Sequence, residues 1–202
     1  MWITLAFLSA ALLGFYDAFK KHSLRANAVI PILFLNTLFC ALIFTPLILA
    51  SSYGLIGGES RWFVPDPEWS THRYVILKSL IVLGSWVLGY YAMKQLPLTI
   101  VGPINATRPV MTIVGALLIF GEDLNGWQWA GVALAVVSFY FMSRSGKREG
   151  IRFSHNRWIY FLVGAALLGA ASGLYDKYLM SPTETGGLGL NKMAVQGWYN
   201  VY

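Results

Sequence analysis

Apolar runs of membrane length, separated by short polar or proline- and glycine-containing breaks, dominate the chain. Reading them off gives helical spans near 2–19, 28–50, 74–93, 98–120, 126–142 and 158–179, and a seventh run that opens around Met193 and reaches Tyr202. Nothing between Ala26 and Gly58 carries a formal charge, whereas about 20 apolar residues already suffice for a crossing. Backbone groups in hydrocarbon must satisfy one another, so such runs are helices unless they close a barrel. Barrel strands alternate with period two, and Ala116-Leu117-Leu118-Ile119-Phe120 does not. The pattern predicts an all-α membrane protein, a transmembrane bundle of at least six crossings.

Composition and charge sharpen this picture. Of the 202 residues 56% are apolar and 12% charged, a ratio no water-soluble core accommodates. The net charge of +6 comes from basic residues set between apolar runs, as at an anionic cytoplasmic leaflet, and no nucleic-acid motif accompanies it. Counting Lys and Arg on alternate connections puts nine on one side (Lys20, Lys21, Arg25, Lys94, Arg144, Lys147, Arg148, Arg152, Arg157) and five on the other (Arg61, Arg73, Lys78, Lys177, Lys192). That count predicts a cytoplasmic linker over 143–157 and Met1 outside. The linker is also the sharpest break in composition, so it divides the chain into a first unit, 1–142, and the start of a second, 158–202. Trp2, Trp127, Trp129 and Trp158 fall at predicted span ends, where amphipathic rings suit the headgroup layer. The 51–73 loop, with Trp62, Pro65, Pro67 and Trp69, is expected to cap the outer face.

The first and sixth spans match when shifted by 159 positions. Ala6, Ala10 and Gly14 align with Ala165, Gly169 and Gly173, and Tyr16-Asp17 with Tyr175-Asp176. Small residues at four-residue spacing let a neighbouring backbone approach closely. A unit with five crossings forces its duplicate to enter from the opposite side, which gives inverted repeats, an arrangement typical of secondary transporters. Asn36, after Leu33-Phe34-Leu35, and Asn200, after Gly197-Trp198-Tyr199, form a fainter pair.

Ionisable residues at membrane depth need a reason. Arg108 lies about ten residues into the fourth span, within Gly102-Pro103-Ile104-Asn105-Ala106-Thr107-Arg108-Pro109. The two prolines remove backbone donors there and loosen the helix. Arg108 is the candidate to grip a carboxylate or phosphate through its planar fork, or else an arginine neutralised by helix carbonyls or a distant acid. Asn105, Thr107 and Asn36 are the other candidate substrate residues, each equally capable of gluing helices together. Asp17 and Asp176 read as interfacial residues offset by Lys20, Lys21 and Lys177. Glu122 and Asp123 read as caps for the fifth helix. Cys40 is alone, so no disulfide or thiolate metal site is available within the chain. His22, His72 and His155 read as isolated loop residues. No GxxxxGK[ST] loop and no Ser/His/Asp set is present, so the reading is a non-enzyme with no cofactor. Met1-Trp2-Ile3-Thr4-Leu5 lacks a basic region, which favours a retained first span over a cleaved signal.

Several residues together resemble one family. Pro109 in the fourth helix, Gly121-Glu122 closing it, Trp129-Ala130-Gly131 opening the fifth, and a Gly-containing first helix ending in Lys20 are similar to an EamA-type repeat of the drug/metabolite transporter superfamily. The resemblance implies ten helices in two inverted five-helix repeats around a central cavity, in a bacterial inner (plasma) membrane. By that standard the chain is one repeat plus the beginning of a second, and about three and a half helices would lie beyond Tyr202. The family's usual arrangement has both termini cytoplasmic, opposite to the basic-residue count. The function expected is a secondary transporter moving a small polar or anionic metabolite by alternating access. The contrasting reading is a scaffold or assembly subunit, or a membrane enzyme with its site at one face. The expected partners are the lipid bilayer and a small-molecule substrate, with a homo-oligomer as one way to complete the cavity, and no nucleic acid.

Overall fold

A computed structural model describes residues 2–121, 124–146 and 156–202. These form eight α-helices: α1 (Trp2–Ala26), α2 (Val29–Ser52), α3 (Trp69–Gln95), α4 (Leu98–Asn105), α5 (Arg108–Phe120), α6 (Gly126–Gly146), α7 (Arg157–Met180) and α8 (Lys192–Val201). No strand occurs among the described residues. Most of the 143–157 linker, together with His155, Glu122 and Asp123, lies outside them.

Four segments are long and apolar enough to cross a bilayer: α2, α3, α4 with α5 taken together, and α7. The 24 residues of α2 extend about 36 Å at 1.5 Å per residue, against a hydrocarbon core of about 30 Å. Only 11% of its most apolar window is buried inside the protein. Such oil is tolerable where lipid replaces water, and the protein is an integral membrane helical bundle. α1 and α6, at 25 and 21 residues, have the length of a span as well. Trp127 and Trp129 stand exposed at the start of α6. Trp158 instead packs on Phe161 and carries Arg157 over its ring at 4.7 Å.

α3 is the hub, and its most extensive contact is with α7. Small residues bring the two backbones together: a Cβ on Gly89 would touch Ala165, and one on Gly84 would touch Leu168. Ser85 adds a hydrogen bond from Oγ to the Ala165 carbonyl, 2.8 Å. The matching stripe on α1 behaves differently, since Ala6, Ala10 and Gly14 are exposed and nothing lies within 4 Å of a Cβ on Gly14. The tightest core gathers where α1 and α3 end and α7 begins, around Leu24, Met93, Leu96, Val101 and Leu162.

Several residues depart from their sequence reading. Lys78, counted with the cations of the connections, lies within α3, 4% exposed, and pairs with Asp176 at 2.6 Å. Asp176 thus answers to Lys78 across the α3–α7 contact and not to its neighbour Lys177. His72 is likewise inside α3, buried, hydrogen-bonded to the Tyr202 hydroxyl and edge-on to Trp198, while His22 falls in α1. The fourth span is interrupted at Ala106–Thr107, giving α4 and α5. The 51–73 loop folds back so that Val64 is buried, its N–H held by Ser51 Oγ at 3.0 Å. At the start of α6, Asn125 Oδ1 accepts from the Gln128 amide while Gln128 Oε1 accepts from the Asn125 amide, a reciprocal cap.

Lys21 has a structural task. Its Nζ donates to the carbonyls of Met93, Lys94 and Leu96 at 2.7, 3.1 and 2.9 Å. These are the unpaired acceptors at the negative end of α3. Lys21→Met is expected to lower stability by about 2 kcal/mol, the scale of hydrogen bonds to a charged group. Thermal unfolding of the purified variant in nanodiscs checks this, and an unchanged midpoint would refute the capping role.

Candidate functional site

Between α1, α2, α3, α4, α5 and α8 lies a cavity of about 500 Å³, with the α4–α5 break on its wall. α1 supplies it with one helical face: Leu13, Tyr16, Asp17 and Lys20 line it and recur at the i, i+3, i+4, i+7 spacing. Tyr16 donates to Asn36 Oδ1 at 3.4 Å, and its hydroxyl meets that of Tyr90 at 3.1 Å. Lys20 Nζ pairs with Asp17 at 3.0 Å and sits 4.6 and 4.9 Å from the centroids of the Tyr16 and Tyr90 rings. Two helices, α1 and α3, thus hold one lysine ammonium in a carboxylate and aromatic setting.

Opposite stands Arg108. The chain reaches it through the interruption after α4, where Thr107 N–H and Oγ both bond the Ile104 carbonyl, at 3.1 and 2.7 Å. Pro109 then starts α5 in a position that needs no amide donor. Arg108 Nε and Asn105 Oδ1 are both buried without a hydrogen-bond partner. Among the described residues no carboxylate comes within ion-pair distance of Arg108: the acids of the three ion pairs are Asp17, Asp66 and Asp176. A buried arginine group with unused donors is expensive in a medium of low dielectric, and it is ready to receive an anion.

Of the candidates read from the sequence, the structure brings Asn36, Asn105 and Arg108 to this one cavity. Thr107 is not among the residues lining it; its hydroxyl is spent on the turn. Asp17, read as interfacial, and Lys20, read as offsetting it, are part of the wall, and so are Tyr90, Gln196 and Asn200. The spacing of Tyr16, Asp17 and Lys20 on one face was the available signal for the first of these. Among the described residues no three His, Cys, Asp or Glu side chains converge to hold a metal ion.

Gly169, the middle member of the small-residue stripe on α7, makes room for the arginine. A Cβ there would lie 3.1 Å from both Cδ and Nε of Arg108. Gly169→Ala is expected to displace the guanidinium by a few tenths of an ångström while α7 stays folded, weakening anion binding about tenfold with little change in unfolding temperature. Isothermal titration of the variant with a bound anion is the check, and unaltered affinity would mean that Gly169 does not position Arg108.

A helical membrane bundle with a polar, charged cavity at the meeting point of six elements is an arrangement that membrane transporters use. Residues 1–144 match the EamA-like transporter family, and the chain belongs to that family. It is also similar to a protein of Sinorhizobium sp described as an uncharacterized transporter in the cobO 3′ region, with 28% identity over 133 residues, 65% of this chain and 89% of that protein. No solved structure matches the chain.

Proposed function

We propose that the protein is a secondary transporter that carries a small polar or anionic metabolite across a bacterial plasma membrane by alternating access between two inverted repeats. The observation that carries this reading is the pair of unsatisfied groups, Arg108 Nε and Asn105 Oδ1, at an interrupted helix on the wall of the cavity. An anion accepts from the guanidinium while a hydroxyl or amine on the same molecule donates to the asparagine oxygen, so both are satisfied at once. Asn36 and the two tyrosines supply further donors and acceptors on the far side. The interruption at Ala106–Thr107 is the natural joint about which α5 moves against α4, as in transporters with discontinuous helices.

The test is thermal stabilisation of the purified protein by a panel of metabolites. A ligand at a hundred times its dissociation constant raises stability by about 2.7 kcal/mol. Stabilisation by an anion, followed by its uptake into proteoliposomes, supports the reading. Stabilisation by none, or only by cations, contradicts it.

A further inference from the structure

The cavity has an apolar annex. A second space of about 280 Å³ lies between α2, α3 and α8, and it shares Trp86, Tyr199 and Asn200 with the charged chamber. Its walls include Leu38, Ala41, Leu80 and Leu83. Several of its polar groups are already engaged: Thr37 Oγ1 donates to the Phe34 carbonyl at 2.9 Å, Ser79 Oγ lies 3.0 Å from the Val75 carbonyl and 3.2 Å from that of Tyr199, and Asn200 Nδ2 donates to the Gln196 carbonyl at 2.7 Å. What remains for a ligand there is mostly hydrocarbon surface.

The charges nearby add up in one way only. Lys20 is balanced by Asp17, and Lys78, whose ammonium sits 5.6 Å from the Tyr199 ring, is balanced by Asp176. Among the described residues lining the two spaces, Arg108 is left as the single cation without an ion-pair partner, and the Asp17 carboxylate, already paired with Lys20, acts on it from beyond ion-pair distance. A second negative charge on a ligand would have no cation to meet and would have to enter the annex at the cost of its hydration.

Resting on the transporter reading above, we infer that the substrate is an amphipathic monoanion, with its charged head on Arg108 and an alkyl or aromatic arm passing Trp86 and Tyr199 into the annex. The head is fixed by the fork of the guanidinium and by Asn105; the arm contributes affinity by leaving water and is limited in length by the annex.

The experiment uses the full chain in nanodiscs and a fixed set of probes, acetate, butyrate, hexanoate, phenylacetate and succinate, with dissociation constants from thermal-shift titrations. Affinity is expected to rise about fourfold per added methylene from acetate to hexanoate. Phenylacetate should match hexanoate, and succinate should bind at least tenfold more weakly than butyrate. All binding should vanish in Arg108→Gln. In Ala41→Phe, which fills the annex, hexanoate should bind no more tightly than acetate. Leu83→Ala, which enlarges it, should favour longer chains than the wild type does. Arg108-dependent binding that ignores chain length, or that prefers succinate, overturns this inference and leaves the transporter reading standing. A chain-length effect that persists in Arg108→Gln is partition into lipid and also overturns it. Failure of every acid to bind counts against the anion site itself, and this inference falls with it.

Discussion

Arg108→Gln is expected to abolish transport, with at least a hundredfold loss of anion affinity, while the protein remains folded. Two contributions run in opposite directions. Glutamine removes the charge and the rigid fork, and loss of one partner from a desolvated charged contact costs about 2 to 5 kcal/mol of binding. Yet in the ligand-free protein Arg108 has a buried Nε with no partner, so its removal relieves an unpaid desolvation cost. The unfolding midpoint should therefore stay level or rise slightly. A functional residue that weakens the empty protein is the expected signature of a site prepared for a ligand. Arg108→Lys separates charge from geometry: it keeps the positive charge but loses the bidentate fork, so binding should fall to an intermediate value. Uptake in proteoliposomes together with thermal unfolding reads both sides. A variant that transports normally, or one that unfolds, would each refute this account.

The second large effect lies in the α3–α7 contact. Asp176→Ala is expected to destabilise the protein by about 3 kcal/mol, because it strands the Lys78 ammonium in an enclosed position with only Ser172 left to receive its protons. Lys78→Met should cost less. Its side chain is 4% exposed whereas that of Asp176 is 31% exposed, so a stranded carboxylate still reaches polar surroundings. Replacing both, Lys78→Met with Asp176→Leu, should recover most of the loss, since a buried ion pair contributes little beyond a well-packed apolar pair. Unfolding of the three variants in nanodiscs forms a double-mutant cycle. Additive losses in the double variant would show that the two residues do not act as a pair.

The Asp176 ion pair and the Asp17 ion pair occupy matching places in the 159-residue alignment, one on α7 and one on α1. Their lysines come from different places, Lys78 of α3 in one case and Lys20 of the same helix in the other. Tyr175, the counterpart of Tyr16, donates to the Tyr74 carbonyl at 3.2 Å and does not face the cavity. The matched motif therefore serves packing on α7 and cavity wall on α1.

The linear chain determined where helices form, because charge is excluded from hydrocarbon and the backbone there has no alternative to a helix. It also exposed Arg108, since a lone cation inside an apolar run is visible without any structure, and the two prolines marked the interruption that became Ala106–Thr107. Helix rotation was settled only by tertiary structure. In water a buried face is apolar and an outer face polar, so periodicity reports which way a helix turns. In lipid both faces are apolar, and α2 and α3 carry no stripe that distinguishes neighbour from solvent. Lys78, inside the predicted 74–93 span, consequently counts with the cations of the outer connections until α7 is seen beside it, and the stripe Ala165, Gly169 and Gly173 looks equivalent to Ala6, Ala10 and Gly14 until only the first is found packed. Asn36, Tyr90, Asn105 and Arg108 line one cavity because two separate helices, α2 and α3, and the α4–α5 break bring them to a common wall. That convergence is a property of long-range packing, which no local pattern of residues records.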